Sequence, residues 1–379
     1  MAPTVGHFVK NYLPLTQTFV YRYLTSHSTY VPFVCGIRSE NTDRFPFEPR
    51  YVFMDKSRFD PRFWVYGALA KFDLFGLENT HYRNVIDRTD PDVLHAHFGP
   101  RGVELEKYRR DNRPLVTSFY GYDASQLVEG DDSMRAKYQK LFAKGDLFLV
   151  EGPAMRQKLL ALDCPEEKIA LQRIAIDTDR IEPCYPDLSD GLQVLMVGRF
   201  VEKKGMPDGI RAFASALGDV EGAELRIVGG ESGEYTEADL REIAAAEGVS
   251  DQVVFAGFLP YEEYLGAVHE CDVLLAPSKR AESGDSEGGA PTVLLEAQAS
   301  GKPVVATTHA DIPYVVEDGI AGRLVTPGDV ESLADALCWC RDHPEHLTRM
   351  GRAGRENMKA HHNVTELARQ LETRYDRLL

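Results

Sequence analysis

The chain has 379 residues, 43% hydrophobic and 27% charged, which is the composition of folded protein and is long enough for two domains with separate cores. Its net charge of −16 is uneven, residues 1–190 summing to −2 and the remainder to −14, and this excludes a general nucleic-acid binder. No apolar run approaches the ~18 residues of a membrane span and MAPTVGHFVK is no signal peptide, so a cytoplasmic protein is expected, meeting a membrane at most peripherally through its near-neutral amino half.

Residues 4–9 read as a first strand, followed by a loop and a helix over 17–25 whose start Thr16 or Thr18 would cap. The aromatic stretch 58–72, with Trp64 and Tyr66, reads as a helix covering a core; an interfacial helix at a lipid headgroup boundary is the alternative. DVLHAHFG at 92–99 and VTSFYGYD at 116–123 each run from strand into loop. They place polar tips at the carboxyl ends of parallel strands, where doubly wound sheets bind ligands. A strand at 146–151, a helix at 153–162 and a last strand at 170–176 follow. The Pro-, Asp- and Gly-rich stretch 182–191 then reads as a linker. The six cysteines fall in neither metal-ligand nor paired spacing and are expected to be reduced, Cys271 inside a strand.

The second half begins with a strand ending at Gly198 and a helix over 207–217, joined by a loop carrying Arg199 and Lys204. A planar fork and a point charge on one loop at a strand's carboxyl end suit a diphosphate, whereas Lys203 reads as a solvated charge. A strand over 225–230 ends in Gly229-Gly230 and precedes a helix over 236–247. No G-x-G-x-x-G follows a strand, so a nicotinamide dinucleotide is not expected. After a strand at 253–257, the run 271–276 does not alternate and reads as a buried parallel strand. The polar loop 278–290 leads into a helix over 291–299. Gly288, Gly289 and Ala290 thus sit at a helix N-terminus, where small residues, free N–H groups and the helix dipole suit a phosphate. Pro291 and Thr292 belong to the first turn. Glu296 would point its carboxylate back toward the loop, placed to accept from two vicinal ribose hydroxyls. A strand at 303–306, a structural His309, and helices near 313–317, 330–341, 344–359 and 364–379 complete the chain.

GRFVEKKG at 198–205, VGG at 228–230, FAGFLP at 255–260 and EGGAPTVLLEAQASGKPVVAT at 287–307 resemble the donor-binding half of glycosyltransferase family 4. The resemblance covers nearly the whole chain and is strongest over 192–337. It implies the GT-B fold: α/β, with two Rossmann-like doubly wound domains facing a central cleft. Residues 1–185 would form the acceptor-binding domain, with the helix near 362–379 returning to it, and 186–361 the nucleotide-sugar donor domain. It also implies that Phe258 and Leu259 lie beside the base, and that Gly198 and Gly229 belong with the donor site.

The sequence departs from the family pattern in three places. The Gly-Gly pair common in the first loop is replaced by NYLPLTQTF, so Thr16 or Thr18 is expected to hydrogen-bond the ligand as well as cap. The usual F-H-G-x-D has Tyr120 at its histidine, placed to donate a hydrogen bond to a sugar hydroxyl, with His97 facing the cleft and Asp123 holding the loop. The first motif glutamate falls on Gly288, so Glu287 is expected to reach the sugar across one extra loop residue, with Asp285 or backbone amides as alternatives.

The expected catalytic set is Arg199, Lys204, Glu287, His97 and Tyr120, with no resident cofactor or metal. The implied activity is retaining transfer of a hexose from a nucleotide diphosphate sugar, UDP favoured over GDP, to a lipid-linked or polysaccharide acceptor. A small soluble acceptor, or nucleotide-sugar binding without transfer, are the alternatives.

Overall fold

A computed structural model describes residues 2–14, 17–55, 76–109, 112–188 and 191–379. Thr16 and the aromatic stretch 58–72 lie outside the described residues. The chain divides into two compact units. One comprises residues 1–151, 155–175 and 364–379, the other 152–154 and 176–363. The division falls at Ala175/Ile176, earlier than the expected boundary at 186, because the Pro-rich stretch is tied to the second unit. Cys184 N donates to Ser300 O at 2.8 Å and Asp187 N to Asp272 Oδ1 at 3.1 Å, while Ile176 bridges to Asn363.

The first unit holds β1 (Thr4–Phe8), β2 (Asn11–Tyr12), β3 (Val31–Ser39), β4 (Arg50–Asp55), β5 (Val93–His97), β6 (Leu115–Ser118), β7 (Leu147–Val150) and β8 (Ile169–Leu171). They form one parallel sheet in the order β2-β3-β1-β5-β6-β7-β8, with β4 paired to β3. The last strand is shorter than the expected 170–176. One face of this sheet packs Phe8, Leu94, Leu115 and Phe148 into an aromatic-rich core. The other presents Val5, Val93, Val116 and Leu149, covered by the helix Val364–Asp376 through Val364, Leu367, Leu371 and Tyr375. That spacing of three and four makes one apolar stripe on the chain's last helix.

The second unit holds β9 (Gln193–Phe200), β10 (Glu224–Glu231), β11 (Val253–Gly257), β12 (Val273–Ala276), β13 (Val304–Thr307) and β14 (Gly322–Val325). Its parallel sheet runs β11-β10-β9-β12-β13-β14. Leu195, Val273, Leu274 and Val304 are fully buried, as expected of central parallel strands covered on both faces. Each such side chain contributes about 1.5–3 kcal/mol of burial. The helix Met206–Leu217 buries Ile210, Phe213 and Leu217, again at helical spacing.

The six cysteines are free, and Cys271 ends the helix Tyr261–Glu270 instead of entering β12. The helix expected over 17–25 is Thr18–Ser26. Its cap position is Gln17, without a side-chain cap bond, so Thr18 is a first-turn residue and does not cap. Among the described residues, no helix is long and apolar enough to cross a membrane.

Candidate functional site

In the second sheet the strand order reverses between β9 and β12, so the loops leaving those two strands diverge at their carboxyl ends. Both phosphate-binding loops expected from the sequence start there. After β9 the chain passes through a 3-10 turn, Glu202–Lys204, into Gly205 at φ 64°. A Cβ on Gly205 would sit 2.0 Å from the carbonyl oxygen of Pro277, so glycine is what lets this loop lie against the loop leaving β12. Lys279 N then donates to Lys203 O at 2.9 Å, and Lys279 Nζ meets Asp208 at 2.8 Å, joining the two.

Lys204 runs its stem past Gly198, where a Cβ would stand 3.3 Å from Lys204 Cγ and Cδ. Its ammonium reaches Glu287 Oε1 at 2.7 Å, and Ser278 Oγ donates to the same oxygen at 3.2 Å. Burial opposes ionisation of Glu287, but the charges of Lys204 and then Lys203 outweigh it and hold the carboxyl below its ordinary range. Lys203 itself corrects the sequence reading. It is buried, not solvated, paired with Asp285 at 2.9 Å and donating to Ser286 O at 3.3 Å, because the 278–290 loop folds over it. Asp285 is thereby committed to Lys203. His309 forms part of the same wall, its Nε2 lying 3.1 Å from Ser286 Oγ and accepting from Glu287 N at 3.3 Å.

The helix Thr292–Ala299 has Pro291 at its cap position and no side-chain cap, which leaves its first-turn N–H groups without a capping side chain. Gly288, Gly289, Ala290 and Pro291 are buried and Thr292 is half-buried. Lys204, Ser278, Pro291 and Val293 line one cavity with Met196 of β9 and Leu275 of β12. The cation and the helix N-terminus therefore share a space. Arg199 is exposed and does not line this cavity; its guanidinium reaches Ser232 Oγ at 3.4 Å. Gly229, at φ 142°, lies so close to β9 that a Cβ would stand 1.8 Å from Gly198 O. Over this strand end lies Phe258, 65% exposed, in ring contact with Gly230; an exposed aromatic face there suits stacking on a base. Leu259 is half-buried.

Glu296 is 4% exposed, and its two oxygens accept from Tyr261 Oη at 3.3 Å and Tyr264 Oη at 2.9 Å. Glu296 lies where its helix position implies, whereas the two tyrosines that orient it have no counterpart among the expected site residues. Their positions, three apart on one helix face, were the available signal.

The first unit has its own reversal, between β1 and β5, and polar residues fill it. His7 pairs in register with His95, and His97 with Ser118. Side chains alternate along a strand, so His7, His95 and His97 continue the face begun by Val5 and Val93, replacing apolar groups with imidazoles toward the carboxyl ends. His7 Nδ1 lies 2.9 Å from His97 Nε2, and His97 Nδ1 lies 2.7 Å from Tyr120 Oη. One nitrogen from each of His7, His95 and His97 falls within 4.8 Å of the others, close enough to hold a metal ion. Both nitrogens of every one of these rings are already in hydrogen-bond contact, His95 with Tyr375 Oη at 2.6 Å and Ser118 Oγ at 2.8 Å. Tyr120 is half-buried. Asp123, 1% exposed, accepts from the amides of Tyr120, Gly121 and Gly99 at 3.0, 3.0 and 2.8 Å and so ties the two strand-end loops together.

The model of the family described as Glycosyl transferases group 1 matches residues 185–357, and that described as Glycosyltransferase Family 4 matches residues 39–180. The amylovoran biosynthesis glycosyltransferase AmsK of Erwinia amylovora is 32% identical over 76% of this chain and 70% of its own length. The chain belongs to glycosyltransferase family 4. A second relative, the GDP-mannose-dependent α-(1-6)-phosphatidylinositol monomannoside mannosyltransferase of Mycobacterium tuberculosis (strain ATCC 25618 / H37Rv), is 34% identical over 52% of each chain. The Anabaena protein HepE, solved in complex with UDP, superposes with a TM-score of 0.79 over 99% of both chains at 16% identity. That likeness shows the fold, GT-B, of this family member.

Proposed function

We propose that this chain is a retaining glycosyltransferase that moves a hexose from a nucleotide diphosphate sugar to a lipid-linked or polysaccharide acceptor. The carrying observation is the cavity where Lys204, paired to Glu287, meets the N-terminus of Thr292–Ala299. Charge builds on the leaving diphosphate as the glycosidic bond breaks. Cations and aimed N–H groups that are already in place stabilise it without reorganising. Lys204 has three donors, so it can keep Glu287 and still donate to a phosphate oxygen. Arg199, Lys204 and the helix N-terminus supply the positive charge that a divalent ion would otherwise bring, so the reaction is proposed to need no resident metal and to proceed unchanged in a chelator. Glu296, oriented by its tyrosines, is assigned the ribose, and Glu287 the sugar hydroxyls. AmsK's name supports a polysaccharide product, and the mycobacterial relative's a lipid-linked one.

UDP is the proposed nucleotide, supported by the UDP held by HepE, whereas the mycobacterial relative is named for GDP-mannose. A thermal-shift panel with UDP, GDP, ADP and dTDP separates them. A ligand at 100 times its Kd stabilises the folded chain by about 2.7 kcal/mol. We expect UDP to raise the melting temperature, and Glu296→Ala and Arg199→Ala to abolish or sharply reduce the shift. GDP alone giving the shift corrects the base; silence from all four nucleotides refutes the donor site.

A further inference from the structure

A line of hydrogen bonds crosses the first unit from its last helix to Tyr120. Glu372 is 3% exposed. Its Oε1 accepts from the amides of Ser28 at 2.7 Å and Thr29 at 2.9 Å, and its Oε2 from Ser28 Oγ at 2.8 Å. Burial opposes ionisation, but these donors overcome it and hold the carboxyl at about 2, so the group is a pure acceptor at neutral pH. His27 Nδ1 lies 3.2 Å from the same Oε1. His27 Nε2 lies 3.0 Å from His7 Nε2, His7 Nδ1 2.9 Å from His97 Nε2, and His97 Nδ1 2.7 Å from Tyr120 Oη.

The direction of every bond follows from the anchored end. Burial lowers the pKa of His27, lowers that of His7 well below the ordinary range and lowers that of His97 to about 3, so the three rings are neutral. A neutral imidazole carries one N–H and one lone pair. The carboxylate requires the N–H of His27 on Nδ1, which makes its Nε2 an acceptor. His7 must then donate from Nε2 and accept at Nδ1, His97 must donate from Nε2 and accept at Nδ1, and Tyr120 must donate. The reverse order would set the Nδ1 lone pair of His27 against the Glu372 carboxylate at the buried end, an unpaired contact in low dielectric.

We propose that Glu372 is a positioning residue which, through His27, His7 and His97, commits the Tyr120 hydroxyl proton inward, so that Tyr120 meets its ligand as a hydrogen-bond acceptor. This reverses the role expected from the sequence, in which Tyr120 donated to a sugar hydroxyl. With its proton directed at His97 Nδ1, the Tyr120 oxygen offers the ligand only lone pairs. The group recognised there is a donor, that is, a hydroxyl of the sugar or of the acceptor, and a ligand offering only an ether or carbonyl oxygen at that place is rejected. The tautomers stand on the structure alone; the hydroxyl ligand rests on the proposed glycosyl transfer.

The test reads the tautomers directly, from long-range proton–nitrogen correlation spectra of the full chain carrying 15N-histidine, with signals assigned by single His→Gln variants. The expected pattern is Nδ1–H for His27 and Nε2–H for His7 and His97. Glu372→Gln, which removes the fixed charge, should turn His97 into a tautomer mixture. Tyr120→Phe, at the far end, should leave all three tautomers as they are. An Nδ1–H tautomer of His97 in the unmodified chain overturns the proposal, as does a His97 signal indifferent to Glu372→Gln. In a transfer assay, Tyr120→Phe should lower kcat/KM by roughly 3- to 10-fold, the range of one neutral hydrogen bond. Adding Glu372→Gln to Tyr120→Phe should lower it little further, since both act through one hydroxyl. Full additivity counts against the coupling. The expected tautomers in a chain that binds no nucleotide would keep the relay and remove the transferase reading, so the two fail separately.

Discussion

Lys204→Met is the sharpest test of the donor loop. The substitution keeps the apolar stem beside Gly198 and removes only the ammonium that lies 2.7 Å from Glu287. Taking away one partner of a buried pair costs about 3–5 kcal/mol, because the other charge stays buried. Here Lys204 is 18% exposed and Lys203 still faces the carboxylate, so a loss of about 2–3 kcal/mol is expected at pH 7.5. For a domain of this size that is roughly 5–10 °C in Tm.

In the unmodified chain the folded pKa of Glu287 is depressed, so its contribution is present above the unfolded value near 4.5 and is lost as pH falls through the lower folded value. In the variant, burial is no longer outweighed and the carboxyl rises instead. The penalty is then present at pH 7.5 and fades as pH falls toward 4.5. Thermal unfolding at those two pH values reads the difference, and Lys204→Met/Glu287→Gln should recover most of the loss at pH 7.5. An equal loss at both pH values, or a double variant no more stable than the single, refutes the claim that this pair carries the loop.

Gly229→Ala should prevent folding or cost more than about 4 kcal/mol, since its Cβ would stand 1.8 Å from Gly198 O, whereas Gly233→Ala, also at positive φ (98°) but in open space, should cost only about 1–3 kcal/mol; denaturation midpoints compare them. Tyr264→Phe deprives the buried Glu296 of a 2.9 Å donor and should cost about 1–3 kcal/mol while weakening nucleotide stabilisation in the same thermal-shift panel. A Tyr264→Phe chain with unchanged nucleotide response would separate Glu296 orientation from ribose binding.

The architecture was readable because central strands are continuous apolar runs, such as VLMV at 194–197 and VLLA at 273–276, that do not alternate, and because Gly and Pro punctuate their ends. The donor loops were readable for a local reason: Arg199, Lys204 and Gly288–Thr292 each sit at a strand-to-helix handover. What escaped depends on contacts far apart in the chain. Lys203 looks solvated until the loop eighty residues on folds over it, with its partner Asp285 82 positions away. His27 and Glu372 are separated by 345 positions, and no local spacing joins them. His7 and His95 had a signal, identical residues at matching heights of neighbouring strands, but only once the register is known.

The last helix has a consequence for how the protein is made. The first unit's sheet is complete by Ala175, yet Val364, Leu367, Leu371 and Tyr375 are needed to cover its second face. At about 5–20 residues per second, the ribosome needs roughly 10–40 s to traverse the intervening residues 176–363. During that interval Val5, Val93, Val116 and Leu149 have only Tyr23 and Tyr30 against them while the second unit emerges and folds. The unit that begins first therefore finishes last, and a nascent chain halted anywhere before Val364 exposes an apolar sheet face to chaperones.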